Sequence, residues 1–353
     1  MINESTAAPS VDVHVLDDED FGLSGVIVLH STALGPAAGG CRLWHYVDQA
    51  AASADAERLA EGMSYKNALA GLPLGGGKAV LRRPKGAFDR AALFRAFGEA
   101  VERLGGRYVT AEDVGTTVDD MVDVAGATRH VAGLPAQGAR PGGDPSPWTA
   151  RGVFVAMQRA AERRLGRELA DCTVAIQGVG HVGSSLALML HDAGARLIVA
   201  DVDSAAVARV AAATGADVAS VTGVLSARAD IFAPCALGGV LNEQSIPKLA
   251  AKLVCGAANN QLATREDGRR LADRQILFAP DYVVNAGGII NVAAEYLGWN
   301  MATVRDRVDA TGERLMAVLD RAEAQGVSAN VAADAQARDV IARAGRPGLE
   351  LAA

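Results

Sequence analysis

At 353 residues, half of them apolar and 21% charged, the chain has the length for two domains that each bury a core and the composition of an ordinary globular protein. A formal net charge of −7 argues against nucleic acid or an anionic membrane as partner. The opening MINESTAAPS lacks the basic start and apolar core of a secretory signal, no apolar run approaches the roughly 20 residues of a membrane span, and Cys41, Cys172, Cys235 and Cys255 lie far apart without a C-x-x-C, so a cytoplasmic protein with free thiols is expected.

Taken in chain order, Val11 to Leu16 alternates and Gly25 to His30 is a β-branched run, which predicts two strands. The loop from Gly35 to Arg42 carries paired glycines that either expose backbone N–H groups to an anion or simply make a tight turn. Asp55 is expected to open a helix in which Leu59, Met63, Lys66 and Ala70 share a stripe, placing Lys66 on an apolar face. A lysine there needs an anion in a solvated cleft or, more plainly, a buried carboxylate partner. Twelve residues on, Gly75-Gly76-Gly77 leads into an apolar strand headed by Lys78. No Ser or Thr follows, so the match to a phosphate-binding P-loop fails, and Lys78 is a candidate acid or base. Asp89 caps a helix to about Leu104, and a strand from Arg107 to Thr110 ends at Ala111-Glu112-Asp113, where each carboxylate suits either a cleft or a turn cap.

Residues 133–148 hold four prolines and four glycines, the composition of a hinge or an active-site loop. Thr149 then starts a helix to about Arg164. The strand Thr173–Gln177 runs into Gly178-Val179-Gly180-His181-Val182-Gly183, a helix follows to about Ala193, and a second strand ends at Asp201, eighteen residues past Gly183. This is the context a dinucleotide-binding G-x-G-x-x-G requires: glycines for the turn and the pyrophosphate, a helix N-terminus for its charge, and a carboxylate for the ribose hydroxyls. Asp201 would repel a 2′-phosphate, so NAD is expected over NADP; Asp203 is the rival for that role but, two residues further on, reads better as the start of the next helix. Further strands at 230–234, 253–256 and 276–280 alternate with helices, and a doubly wound sheet places Cys235-Ala236, Ala258-Asn259-Asn260 and Asn285 beyond its carboxyl ends. Residues 291–344 read as helices without a chemical signal, and no histidine spacing suggests a metal.

In order and spacing, GPAAGG with Arg42, GMSYKNALAGLPLGGGK, TAEDVGT, SPWTARGV, GVGHVG, FAPCALGGV, GAANNQL and PDYVVNAGG resemble the leucine/valine/phenylalanine dehydrogenases of the amino-acid dehydrogenase superfamily, over about residues 25 to 300. The resemblance implies an α/β protein of two domains separated by a cleft: a substrate-binding, catalytic and oligomerisation domain (1–135), a hinge loop (136–148), a Rossmann NAD-binding domain (149–325) and a C-terminal helical segment packing back across the hinge (326–353). It implies NAD-linked, reversible oxidative deamination of an L-amino acid by a homo-oligomer. Lys78 resembles the general acid/base, Asp113 the carboxylate that exchanges protons with the amino group, and Lys66, with backbone near Gly40, the anchor of the substrate carboxylate. Asn260 resembles the acceptor of a hydrogen bond from the substrate amino group, and Thr149 the residue that orients the nicotinamide amide. Glutamate-specific relatives carry a lysine at the position of Ala38 and a serine at that of Val292. An apolar pocket of Ala38, Met63, Ala111, Ile289 and Val292 should therefore reject glutamate. Ala38, GPAAGG and FAPCALGGV lean towards phenylalanine enzymes, whereas the branched Ile289 and Val292 lean towards leucine and valine enzymes. A different NAD-linked dehydrogenase, or an NAD-binding sensor without catalysis, are the alternatives; neither accounts for Lys66, Lys78 and Asp113 together.

Overall fold

The computed structural model describes residues 11–135, 138 and 140–345. In the first part of the chain, β1 (Asp12–Asp18), β2 (Leu23–Ser31), β3 (Ala37–Ala38), β4 (Cys41–Trp44), β5 (Gly75–Arg82) and β6 (Tyr108–Val109) form one mixed sheet in the order β1-β2-β5-β3-β6, with β4 also alongside β5. β1, β2 and β5 are antiparallel neighbours, while β3 and β4 lie parallel to β5. Val26-Ile27-Val28-Leu29 is apolar without alternation because both faces of β2 are covered. Ile27 and Leu29 face a core with Leu93, Phe94 and Phe97 of helix α2 (Arg90–Glu102) and Met121 of helix α3 (Val118–Ala125). Val26, Val28 and Val80 face an alanine seam, Ala52, Ala56 and Ala60, on helix α1 (Gln49–Leu69).

Helix α1 starts six residues before the expected opening at Asp55. Its cap is Asp48, whose carboxylate accepts the N–H of Ala51 at 2.8 Å. The alanine-rich first turns have no apolar contrast, so periodicity does not reveal them. The buried stripe is also rotated from the expected one: it runs through Ala52, Ala56, Ala60 and Asn67, while Leu59, Met63 and Lys66 are half-buried at its edge. A Cβ on Gly76 would run into the backbone nitrogen of Ser64, so Gly76 lets α1 lie directly on β5.

Further along, α4 (Ser146–Leu165) begins within the stretch assigned to the hinge loop, with Pro147 in its first turn, where a missing N–H costs nothing. The second sheet, among the described residues, holds β7 (Thr173–Gln177), β8 (Arg196–Ala200), β9 (Asp217–Val218), β10 (Ile231–Pro234), β11 (Leu253–Val254) and β12 (Leu277–Phe278). All are parallel, in the order β12-β11-β10-β7-β8-β9. Strand order reverses between β7 and β10, the switch point at which such sheets bind ligands beyond their carboxyl ends. Helices α5 (His181–Asp192), α6 (Ser204–Thr214), α7 (Glu266–Asp273), α8 (Asp281–Val284), α9 (Gly287–Leu297), α10 (Met301–Asp309), α11 (Thr311–Gln325) and α12 (Ala329–Ala344) complete the chain.

The chain divides into two compact units, one of residues 1–143, 292–300 and 337–353, the other of 144–291 and 301–336. The division therefore falls inside α9 and α12, and the nucleotide-fold unit is not the single stretch 149–325. Polar anchors explain the returns to the first unit. The two carboxylate oxygens of Glu295 accept the N–H groups of Gly133 and Leu134 at 2.8 and 3.1 Å, the Tyr296 hydroxyl lies 3.1 Å from His130 Nδ1, and Arg338 Nε donates to the Tyr65 hydroxyl at 3.0 Å.

Candidate active site

Lys78 sits in β5, hydrogen-bonded on both sides and covered by α1, and only 4% of it is exposed. Its Nζ lies 2.8 Å from Asp113 Oδ2, just past the end of β6. Desolvating two charges costs several kcal/mol per ion and the attraction between them offsets this only in good geometry, so a buried pair of this kind points to function more than to stability. The same Oδ2 takes a hydrogen bond from Arg42 Nε at 3.2 Å. Burial pushes the Asp113 carboxyl up, but the Lys78 ammonium, its hydrogen bond, the Arg42 charge and the Val114 N–H outweigh it and hold the carboxyl below its ordinary range. The turn is closed locally by Asp113 N donating to Thr116 Oγ1 at 2.9 Å, with that hydroxyl 3.0 Å from the carbonyl of Cys41.

Small residues bring this pair within reach of the loop between β3 and β4. A Cβ on Gly40 would stand 2.8 Å from Asp113 Cβ, and one on Gly39 would stand 3.2 Å from Met63 Cγ. The Gly39 carbonyl is fixed by the Tyr108 hydroxyl at 2.5 Å, and Asn67 Nδ2 donates to the Gly75 carbonyl at 2.6 Å. Ala38 is buried opposite Gly76, and Ala111 is buried with its carbonyl accepting Cys41 N at 2.8 Å. Gly40, Met63, Lys78, Ala38, Ala111 and Asp113 thus gather in the first unit, with Lys66 half-buried one turn along α1 from Met63. Arg42 and Asp55, to which the sequence reading gave no chemical part, belong to the same cluster. Their only advance signals were a charge two residues past a glycine pair and a carboxylate that reads as a helix cap.

In the second unit the loop after β7 has the shape of a phosphate cradle. Gly178 has φ +98°, and a Cβ there would lie 2.7 Å from Ala236 N. A Cβ on Gly183 would strike the Gly178 carbonyl, whereas one on Gly180 would meet open space. The first and third glycines therefore serve the turn and the helix–strand contact, and the second leaves room for a ligand at the N-terminus of α5, which no side chain caps. Val179 is buried, Val182 half-buried and His181 exposed. Asp201 accepts Val179 N on Oδ2 at 2.7 Å and Asp203 N on Oδ1 at 3.0 Å. Burial raises its pKa, but the N–H groups of Asp203, Val179 and Val202 hold it below the usual carboxylate range. Asp203 caps α6. A cavity of ≈ 320 Å³ opens beside Gly178 and Asp201, with Val202, Val221, Leu237 and Val240 in its wall, the apolar slot an adenine ring needs.

Beyond the other strand ends, Cys235 N donates to the Gln177 carbonyl at 2.7 Å and Ala258 N to the Pro234 carbonyl at 2.9 Å. Asn285 Nδ2 donates to Asn259 Oδ1 at 2.8 Å, while Asn285 Oδ1 is buried without a hydrogen-bond partner, an acceptor suited to an amide N–H of a ligand. Asn260 holds a left-handed conformation, φ +52°, with its N–H on Asp281 Oδ2 at 2.6 Å. The Thr149 hydroxyl donates to the Pro145 carbonyl at 3.2 Å, and a Cβ on Gly288 would stand 2.6 Å from it. Ile289 and Val292 are half-buried on α9, the first in the second unit and the other in the first. The open second glycine, the capless helix end and the orphaned Asn285 oxygen fit a dinucleotide.

Comparison with known proteins agrees in both units. The family model described as Glu/Leu/Phe/Val dehydrogenase, dimerisation domain, matches residues 7–130, and that described as Glutamate/Leucine/Phenylalanine/Valine dehydrogenase matches 144–224 and 201–346. Leucine dehydrogenase of Bacillus subtilis is 45% identical, over 92% of this chain and 90% of that protein. Phenylalanine dehydrogenase of Bacillus thermotolerans is 42% identical, over 90% and 85%. The crystal structure of L-tryptophan dehydrogenase from Nostoc punctiforme superposes with a TM-score of 0.84 at 39% identity, covering 94% of this chain and 96% of that one. The chain belongs to the Glu/Leu/Phe/Val dehydrogenase family and is an amino-acid dehydrogenase.

Proposed function

We propose that the protein catalyses the NAD-linked, reversible oxidative deamination of an apolar L-amino acid to its 2-oxo acid and ammonia. The observation that carries this reading is the Lys78 Nζ to Asp113 Oδ2 contact of 2.8 Å, with Lys78 buried and Gly40 closely packed against Asp113. When bound, the nicotinamide supplies the hydride acceptor for the substrate Cα. Gly178, Gly180, Gly183, Asp201, Ala236 and Asn285 would hold the dinucleotide, with Thr149 orienting its amide, and the ionised Asp201 disfavours a 2′-phosphate.

The chain's own part is binding and proton movement. Lys66 and the Gly40 backbone hold the substrate carboxylate, and Asn260 takes a hydrogen bond from the amino group. Asp113, ionised, accepts a proton from the substrate ammonium so that the neutral amine can push electrons as Cα is oxidised. Lys78, entering this step as the free amine, takes a proton from the water that adds to the imine carbon. Asp113 returns its proton to the nitrogen and, ionised again, takes the carbinolamine hydroxyl proton as ammonia leaves and the C=O forms. The pair then releases its protons to ammonia and solvent. At 2.8 Å a proton passes between Lys78 and Asp113 directly, so one pair serves both directions of the reaction.

Ala38 and Ala111 are buried and carry no charge. A side-chain carboxylate in that pocket would lack a cation, at a cost of several kcal/mol, so glutamate is rejected. Branched Ile289 and Val292, with leucine dehydrogenases among the relatives, support a branched aliphatic substrate; the small Ala38, with a phenylalanine dehydrogenase among them, supports an aromatic one. The dimerisation domain named by the family model supports a homo-oligomer, and four free thiols support a reducing compartment such as the cytoplasm.

The test is NADH formation at alkaline pH from L-leucine, L-valine, L-phenylalanine and L-glutamate, with D-leucine as control. Turnover of an apolar L-amino acid and none of glutamate is expected. Faster turnover of glutamate than of leucine or phenylalanine would overturn the pocket assignment.

A further inference from the structure

We propose that Arg42, fixed in turn by Asp55, is a positioning residue for the Lys78–Asp113 pair: it holds the Asp113 carboxylate against Lys78 and supplies the standing positive charge beside which the pair exchanges protons. The proposal rests on the reading of Lys78 and Asp113 as the acid/base pair. Four separate segments meet here. Arg42 is on β4, Lys78 on β5, Asp113 follows β6, and Asp55 is on α1. Arg42 Nε reaches Asp113 Oδ2 at 3.2 Å while its NH1 reaches Asp55 Oδ2 at 2.9 Å, so one planar guanidinium spans two carboxylates. A lysine, with a single nitrogen on a flexible stem, cannot make both contacts in fixed geometry.

Asp55 is committed to this task on both oxygens. Oδ2 also accepts the Tyr46 hydroxyl at 2.6 Å, and Oδ1 accepts Arg58 NH2 at 2.6 Å. The side chains of Arg42 and Asp55 are 21% and 17% exposed, so solvent screens the network only in part. Of the other titratable groups around it, the Cys41 thiol is pushed well up by burial and stays neutral, and Asp120 has its own partner in Arg90 at 2.6 Å. Within the network Arg42 and Arg58 balance Asp55 and Asp113 when Lys78 is deprotonated, with Lys66 a further positive charge on the helix that carries Asp55. Loss of Arg42 takes one positive charge from beside that state, so the pair holds its protons more tightly and the base form is harder to reach.

The experiment measures kcat, KM and the pH dependence of kcat/KM for the best apolar L-amino acid, with the wild type, Arg42→Gln, Arg42→Lys, Asp55→Asn, Asp113→Asn and the double variant Arg42→Gln/Asp113→Asn. Tryptophan quenching by NADH reports that each variant is folded. Arg42→Gln should lower kcat on the order of ten- to hundredfold, the size of a misplaced catalytic group, with the half-maximal pH of kcat/KM moved upward. Arg42→Lys should restore the pH midpoint but only part of kcat. Asp55→Asn, which removes a negative charge and loosens Arg42, should also lower kcat but move the midpoint downward. The double variant should be no slower than Asp113→Asn, because Arg42 acts through Asp113. An inactive Asp113→Asn alongside an Arg42→Gln with unchanged kcat and pH midpoint, or a double variant in which the two losses multiply, would overturn the proposal. Full turnover in Asp113→Asn would instead sink the acid/base reading, and the proposal with it. Should Arg42→Gln fail to fold, Arg42→Lys and Asp55→Asn decide the matter through kcat and the opposite sign of the pH shift.

Discussion

Asp201 accepts the backbone N–H of Val179 at 2.7 Å, which ties the end of β8 to the middle of the glycine turn after β7. One carboxylate thus shapes the loop and sets the charge at the site proposed for the adenosine ribose. Asp201→Ala should weaken NAD more than NADP, narrowing their kcat/KM ratio by about ten- to hundredfold, the worth of one lost charged hydrogen bond and its repulsion. Asp201→Asn, which keeps an acceptor but loses the charge, should fall between. Steady-state kinetics with both cofactors check this, and an unmodified enzyme that prefers NADP would refute the assignment.

Removing either member of the Lys78–Asp113 contact should stop turnover without emptying the nucleotide site. Lys78→Ala is expected to lower kcat by about 10² to 10⁴, the usual range for a general acid/base, while NADH still quenches tryptophan fluorescence. Substantial turnover in Lys78→Ala would remove that residue from the mechanism.

The nucleotide unit was the more legible in the sequence, for a physical reason. β7, the three glycines, β8 and the Asp203 cap are neighbours along the chain, and their spacing is fixed by strand rise and helix period. The first unit is assembled by long-range contacts. Arg42 meets Asp113 across 71 residues, a pairing no local pattern encodes. Asp55 precedes an apolar rhythm and so looks like a cap, but the helix had already begun among alanines that give no contrast. The return of 292–300 to the first unit is anchored by Glu295, whose partners are backbone N–H groups and hence independent of sequence, and by Tyr296, which meets His130 across 166 residues.

That same Glu295 predicts a pH dependence of stability. Burial pushes its pKa up, and the N–H groups of Gly133 and Leu134 only partly counter this. With the folded value above the unfolded one, the folded protein binds the proton better, so this group costs stability as pH rises from the ordinary carboxylate range through the raised value, and the cost is constant above it. Glu295→Gln stays neutral throughout. Its Tm relative to wild type should therefore improve between pH 4.5, the ordinary value, and pH 7. A relative Tm that falls over that interval would show that the hydrogen bonds, not burial, dominate.

Gly76 offers the sharpest test of how the two faces of β5 are used. A Cβ there runs into Ser64 on α1 at its backbone nitrogen, which cannot rotate away as a side chain can. Gly76→Ala must push α1 off the strand, and the alanine seam at Ala52, Ala56 and Ala60 has no long side chains to fill the gap. Overpacking of this kind costs typically 1 to 3 kcal/mol and here should reach at least about 3, since backbone has to move. Lys66, Met63 and Ser64 ride on the same helix, so kcat/KM should fall together with stability. Gly62→Ala is the control, because a Cβ there meets nothing within 4 Å and alanine is the better helix former by about 1 kcal/mol. Urea unfolding of both variants distinguishes the outcomes: a Gly76→Ala protein as stable as Gly62→Ala would mean that α1 does not rest on β5 as closely as the geometry places it.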